Sequence, residues 1–171
     1  LPARLRHAGK GLQSWKTPGH RRFQLPVEKL REVLDHCEIP PMVMQVEGHP
    51  YYPAEAVKAF CDAHHIVLQC WYPLGHGSSE LLQDPVIGKI AQAHGKSPAQ
   101  VVLRWHIQMG FCPVPGSKSP AHIQENGEIF DFSLSQEEMG RMAALNRHTP
   151  FYKVTPESLQ RLATTKCNFE E

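Results

Sequence analysis

The sequence holds no run approaching eighteen apolar residues, and therefore no helical membrane span. It holds no C-x-x-C pair either. Its five cysteines, Cys37, Cys61, Cys70, Cys112 and Cys167, are scattered and odd in number. That excludes a complete disulfide framework and suits free thiols in a cytoplasmic chain. The spacing of a metal centre is missing as well. Of the eleven histidines, His64 and His65 are adjacent and would leave a helix on different faces, while His76, His94, His106 and His122 keep no ligand spacing to cysteine or acid. No metal is expected. Nor is there a large net charge, the formal value being +1, so the electrostatic footprint of nucleic-acid or membrane partners is absent.

One absence is local. Residues 1–25 contain Arg4, Arg6, Lys10, Lys16, Arg21 and Arg22 but no Asp or Glu. Subtracting these six from the eighteen basic residues leaves twelve against seventeen acidic ones, so the body carries about −5. The basic leader lacks the apolar core of a signal peptide, although transit peptides share its acid-poor composition. With 171 residues, the chain has room for one domain.

From residue 26 onward the patterning is regular. Pro26 to Cys37 reads as an amphipathic helix with Leu30, Val33 and Leu34 on one face, stopped by Pro40-Pro41. Met42 to Val46, Ile66 to Trp71 and Phe111 to Val114 are apolar runs of strand length. Between them lie helical stretches at Ala54 to His64 (Ala56, Val57, Phe60 and Cys61 inward), Asp84 to His94 and Ser97 to Gln108. Gly95 splits the last two, and Gly110 closes the second. Pro120 to Glu128 and Ser135 to Leu145 follow, the latter opening with the capping box Ser135-x-x-Glu138. A short helix is expected at Pro156 to Ala163. Such alternation predicts parallel strands with crossover helices, the strands covered on both faces. Ligands then gather at the carboxyl ends of the strands, near Gln45, Trp71 to Gly75 and Pro115 to Lys118.

The segment F-C-P-V-P-G-S-K-S-P-A-H-I-Q-E-N, residues 111–126, points to chemistry. A strand ends in Pro-Gly-Ser-Lys, and a helix begins at once with Ser119 as N-cap and Pro120 behind it. Free backbone N–H groups at such a start favour anions, and Lys118 adds charge, so the unit suits a phosphate. An ordinary strand-to-helix turn has the same local form.

Together the blocks P-M-V-M-Q-V-E-G-H-P-Y, W-Y-P-L-G, H-G-K-S-P-A-Q-V-V-L-R-W, P-V-P-G-S and H-I-Q-E-N, followed by I-F-D-F-S-L-S-Q-E-E-M, resemble the C-terminal half of the aldo-keto reductases. The resemblance covers roughly residues 26–147. It implies part of a (β/α)8 TIM barrel, α/β in class, with about three C-terminal strands and their helices. It also implies an oxidoreductase that moves hydride between NADP (or NAD) and a small carbonyl substrate. By position, Gln45 matches a glutamine that hydrogen-bonds the nicotinamide amide, and Trp71 the aromatic ring stacked on it. Leu74 and Gly75 match the turn beside the pyrophosphate. Pro115, Gly116, Ser117, Lys118 and His122 fall in the segment holding the adenosine 2′-phosphate, and Glu125 and Asn126 match the adenine contacts. The chain departs from the family at Met44, usually Asn, at Gly116, often Lys, and at His122, often Arg. The last two losses weaken the grip on a 2′-phosphate, Lys118 replaces part of it, and NADP and NAD both remain open.

In the family the catalytic Asp, Tyr, Lys and His lie in the N-terminal half, and nothing in residues 1–171 matches them. No catalytic residue is therefore assigned, and His49 in G-H-P-Y is expected to be structural. The chain is expected to be inactive alone, as a reductase fragment or as a non-catalytic nucleotide-binding chain. The helix pair at 84–108 is expected to be scaffold rather than a nucleic-acid reader. Residues 148–171, with Phe151, Tyr152 and Phe169, are a tail that lines a substrate mouth or covers the barrel wall.

The leader has a compatible second frame. His20 to Pro26 can be back-translated as CAT CGG CGT TTC CAA CTT CCC, which one base later reads Ile-Gly-Val-Ser-Asn-Phe, a family-like strand. Residues 1–25 are expected to be disordered or out of frame, with plain divergence of a loop as the alternative. Genomic DNA upstream of Leu1, read in all three frames, is expected to reveal the missing barrel half in the second frame. DNA that encodes no such segment refutes the frame change.

Overall fold

The apolar runs come together as one parallel sheet because each is separated from the next by a helix, the connection parallel neighbours require. The structure, a computed structural model, describes residues 21–23, 27–76 and 79–152. In chain order these form β1 (Arg21–Phe23), α1 (Val27–His36), β2 (Val43–Glu47), α2 (Glu55–Ala63), β3 (Val67–Trp71) and α3 (Ser79–Leu82). Then come α4 (Pro85–His94), α5 (Pro98–Gln108), β4 (Cys112–Pro113), α6 (Pro120–Gly127) and α7 (Gln136–Ala143). The strand order β1-β2-β3-β4 follows the sequence, and every pairing is parallel.

Two elements depart from expectation. The three expected strands are β2, β3 and β4, and among the described residues a fourth, β1, lies inside the leader: Arg21–Phe23 pairs in register with Val43–Gln45. An open edge on β2 presents backbone donors and acceptors, and an extended segment satisfies them with little regard to its side chains. The single turn α3 was not expected, being too short at four residues to show a period. The rest of the leader and the expected helix at 156–163 lie outside the described residues.

Alternation sends Met44, Val46, Leu68 and Cys70 to one face, where they are buried against Leu30, Phe60, Ile90 and Trp105 among others. Burying each large aliphatic side chain contributes about 2 kcal/mol. The other face carries Gln45, Glu47, Gln69 and Trp71, with Val67 52% and Val114 43% exposed. That face is closed over β2, where Gln45 is 7% exposed and Glu47 fully buried, and partly open over β3 and β4. The expectation that apolar strands are covered on both faces therefore holds for β2 and is corrected for β3 and β4. Met42 precedes the strand and is 59% exposed. Ala56 is exposed rather than inward, because the buried stripe of α2 runs through Val57, Phe60 and Cys61, and Ala56 stands about 100° from Val57 around the axis.

Helix ends follow the sequence closely. Asp84 accepts from the Val86 N–H at 2.8 Å, with Pro85 at the first position of α4. Gly95 (φ +62°) and Gly110 (φ +74°) take the left-handed conformation after α4 and α5, where a Cβ is disfavoured. Ser97 and Ser135 both form complete capping boxes. Each such cap contributes about 1 kcal/mol.

His106, on α5, joins the helical layer to the sheet. Its ring is fully buried, with Nδ1 2.7 Å from the Val102 carbonyl and Nε2 2.9 Å from that of Gly48. Burial drives its pKa down from 6.5 to about 4, against the two carbonyls, which favour the charged ring. The unfolded chain therefore takes up a proton that the folded chain refuses. This contribution is whole above about pH 6.5 and is lost as pH falls towards 4. Denaturant titrations should lose about 2 kcal/mol between pH 7 and pH 5 through this group. His106→Gln, which cannot ionise, should lose correspondingly less over the same interval.

Candidate nucleotide site

The carboxyl ends of β3 and β4 bring three distant segments together. After β3 the chain turns through Tyr72 to Gly75, the Gly75 N–H donating to the Tyr72 carbonyl at 3.0 Å with Gly75 at φ +81°. After β4 it passes through Pro115, Gly116 and Ser117. The Ser117 hydroxyl accepts from the Ser119 N–H at 3.1 Å, and the Ser119 hydroxyl accepts from the His122 N–H at 3.5 Å, capping α6. The third segment is the start of α5. Between them lies a cleft of about 280 Å³ lined by Leu74, Leu82, Ser97, Pro98, Ala99, Gly116, Ser117, His122, Glu125 and Asn126.

Six of the eleven expected contact residues line this cleft: Leu74, Gly116, Ser117, His122, Glu125 and Asn126. Pro115 and Lys118 flank it in the same loop, with Lys118 exposed. Gly75 is buried in the turn. Gln45 and Trp71 stand apart from the cleft, on the open face of the sheet. Gln45 is only 7% exposed, and its Nε2 donates to Gln69 Oε1 at 2.7 Å. Trp71 is half-buried between Tyr72 and Tyr152, at ring separations of 4.0 and 5.3 Å. Its indole Nε1 is buried without a hydrogen-bond partner.

Sequence reasoning missed Leu82 and the start of α5. The cap at Ser97 was visible in the sequence, but no local pattern tells which cleft a helix start adjoins. Gln100 was missed too. Its Oε1 accepts from the Ser97 N–H at 3.0 Å, while its Nε2 donates to the carbonyls of Glu125 (3.2 Å) and Glu128 (3.1 Å). One buried amide thereby fixes α6 against α5 and sets the far wall of the cleft.

Tyrosines nearby are engaged elsewhere. Tyr51 donates to Asp84 Oδ2 at 2.8 Å, and burial, reinforced by that bond, pushes its pKa up to about 12. The Tyr72 hydroxyl lies 2.8 Å from His76 Nε2, and the two rings stack at 3.5 Å. Among the described residues no group of three or more His, Cys, Asp or Glu could hold a metal ion. None of the helices described is long and apolar enough to cross a membrane.

A parallel β/α sheet with a cleft at its carboxyl rim is the arrangement of the β/α folds, whose ligands bind at that rim. The sequence model of the Aldo/keto reductase family matches residues 23–147, and the chain belongs to that family. It is 45% identical over 129 residues to the glyoxal reductase of Bacillus subtilis, covering 75% of this chain and 45% of that protein. It is also 45% identical over 118 residues to the 9,11-endoperoxide prostaglandin H2 reductase of Trypanosoma cruzi (strain CL Brener), covering 68% and 42%. A mutant of Gox0644 solved in complex with NADPH superposes with a TM-score of 0.73 at 34% identity, covering 80% of this chain and 49% of that one. The chain thus spans under half the length of these relatives.

Replacing Gln100 with Ala should cost about 2 kcal/mol, from the lost capping box and the two interhelical bonds. Urea unfolding measures it, and a loss below about 0.5 kcal/mol would mean that the α5–α6 tie is made by other contacts.

Proposed function

We propose that this chain is the nucleotide-holding portion of an NAD(P)-dependent aldo-keto reductase acting on small carbonyl compounds. The observation that carries this is the cleft itself. Residues assigned to the cofactor from three separate sequence blocks (Leu74; Gly116 and Ser117; His122, Glu125 and Asn126) converge on one cavity. The NADPH bound by Gox0644 and the aldehyde chemistry in the name of the Bacillus relative support the same reading. When bound, the nicotinamide cofactor supplies the hydride.

The residues fit such a ligand at both ends. Trp71 offers a flat ring and an indole N–H buried without a partner, so an acceptor arriving there would remove an existing penalty. Gln45 offers a buried amide beside it on the same open face. Ser117 and His122 in the cleft, with Lys118 flanking it, are the polar and basic groups proposed for a phosphate, at the start of α6 where backbone N–H groups point outward. Glu125 and Asn126, on the wall of the cleft, are the proposed adenine contacts. At Gly116 an added Cβ would meet nothing within 4 Å, so the lysine common in the family would be accommodated there.

No residue of these 171 is proposed as the proton donor. Residues 1–171 carry no match to the family's Asp, Tyr, Lys and His, and Tyr51 is held protonated against Asp84. In this reading residues 27–147 bind and orient the cofactor, and Tyr152 stands at the Trp71 end of the site.

Titration of tryptophan emission with NADPH and NADH, beside an oxidation assay with an aldehyde panel, tests this. Saturable NADPH binding without turnover is expected. Gly116→Lys should tighten NADPH about tenfold relative to NADH, the worth of one charge-assisted bond to a phosphate. Absence of saturable binding overturns the cofactor assignment, and turnover by the unaided chain overturns the missing acid.

A further inference from the structure

Glu47 is a fully buried carboxylate to which the cofactor reading gives no role. It ends β2 and is the register partner of Trp71 in β3, so both side chains leave the sheet on the same face. Three donors converge on it. The Phe151 N–H reaches Oε1 at 2.6 Å, the Tyr152 N–H reaches Oε2 at 3.0 Å, and His49 Nε2 lies 3.0 Å from Oε1. Withdrawing a carboxylate from water is costly, and these charge-assisted bonds offset that cost.

What the bonds hold is a strap. At its near end the Arg147 N–H donates to the Tyr51 carbonyl at 2.9 Å, while the guanidinium pairs with Glu80 and sits 3.6 Å above the Tyr51 ring. At its far end Phe151 packs on His49 with ring centres 4.6 Å apart. Tyr152 then meets Trp71 edge to face, at 5.3 Å and 70°. The indole N–H makes no hydrogen bond, so ring contacts with Tyr72 and with the strapped Tyr152 orient Trp71.

We infer that Glu47 is a positioning residue for Trp71. By fastening the backbone of residues 151 and 152, it presses Tyr152 against the indole and sets the plane on which the proposed nicotinamide lies. The identity of that ligand rests on the cofactor reading, whereas the linkage from Glu47 through Tyr152 to Trp71 belongs to the protein alone.

The test uses the full chain. Glu47→Gln keeps the shape but replaces an acceptor with a donor facing N–H groups. Near-ultraviolet circular dichroism of wild type, Glu47→Gln and Tyr152→Leu is compared with the same substitutions in a Trp71→Phe background, with far-ultraviolet spectra as the folding control. Both variants should change the Trp71 band at unchanged helix content and have no further effect once Trp71 is gone. NADPH affinity should fall about two- to tenfold in each, the range of one aromatic contact. A Trp71 band unaltered in folded Glu47→Gln, or an equal change in the Trp71→Phe background, overturns the inference. If Glu47→Gln does not fold, Tyr152→Leu decides by the same band. Failure of wild type to bind NADPH sinks the cofactor reading alone, because the band still reports the linkage.

Discussion

The in-register pairing of β2 with β3 is the constraint on which the other features depend. Five partners, from Val43↔Val67 to Glu47↔Trp71, fix two rows of side chains at once. One row, Met44, Val46, Leu68 and Cys70, is core. The other sets Gln45 beside Gln69 and Glu47 beside Trp71. Slipping the register by a single residue would send every member to the wrong face. The pairing continues past the strand ends, with the Gly48 N–H donating to the Trp71 carbonyl at 3.3 Å. Only glycine permits that approach, since a Cβ at Gly48 would stand 2.5 Å from Cys70 Sγ.

Much of this architecture was legible because its signals are local. Helix periods, the capping serines and the glycines after α4 and α5 placed each long element to within a residue or two at its ends. Signals that need a partner were not legible. β1 is three residues of Arg-Arg-Phe, and nothing in that composition announces a strand. Leu82 reaches the cleft from one helical turn without a period of its own. In the site, six residues placed by family resemblance do share a cavity. Glu47 and Gln100 looked like an ordinary strand acid and a helix glutamine, because the atoms that define their roles lie far away in sequence.

The site has two ends, and the turn between them is under strain. Tyr72 and His76 both adopt left-handed backbone conformations, at φ +54° and +51°. For residues other than glycine this costs about 1–2 kcal/mol apiece. Their mutual hydrogen bond and ring stacking offset part of that cost. Strain held in this way marks a turn whose shape matters more than its ease of formation, and here it joins the Trp71 face of the sheet to Leu74 at the lip of the cleft. The cradle is accordingly rigid on the α5–α6 side, where Gln100 ties two helices, and sprung on the β3 side.

The bond between Phe151 and Glu47 spans 104 positions of chain. Closing so long a loop carries an entropic penalty that contacts formed earlier must already have reduced. The strap therefore arrives late in folding, after the sheet exists to receive it. Resting on a few backbone donors and ring contacts, it is also the part whose detachment disturbs the least core. Sub-global opening should begin there, so that the mouth is completed last and exchanges its amide hydrogens first.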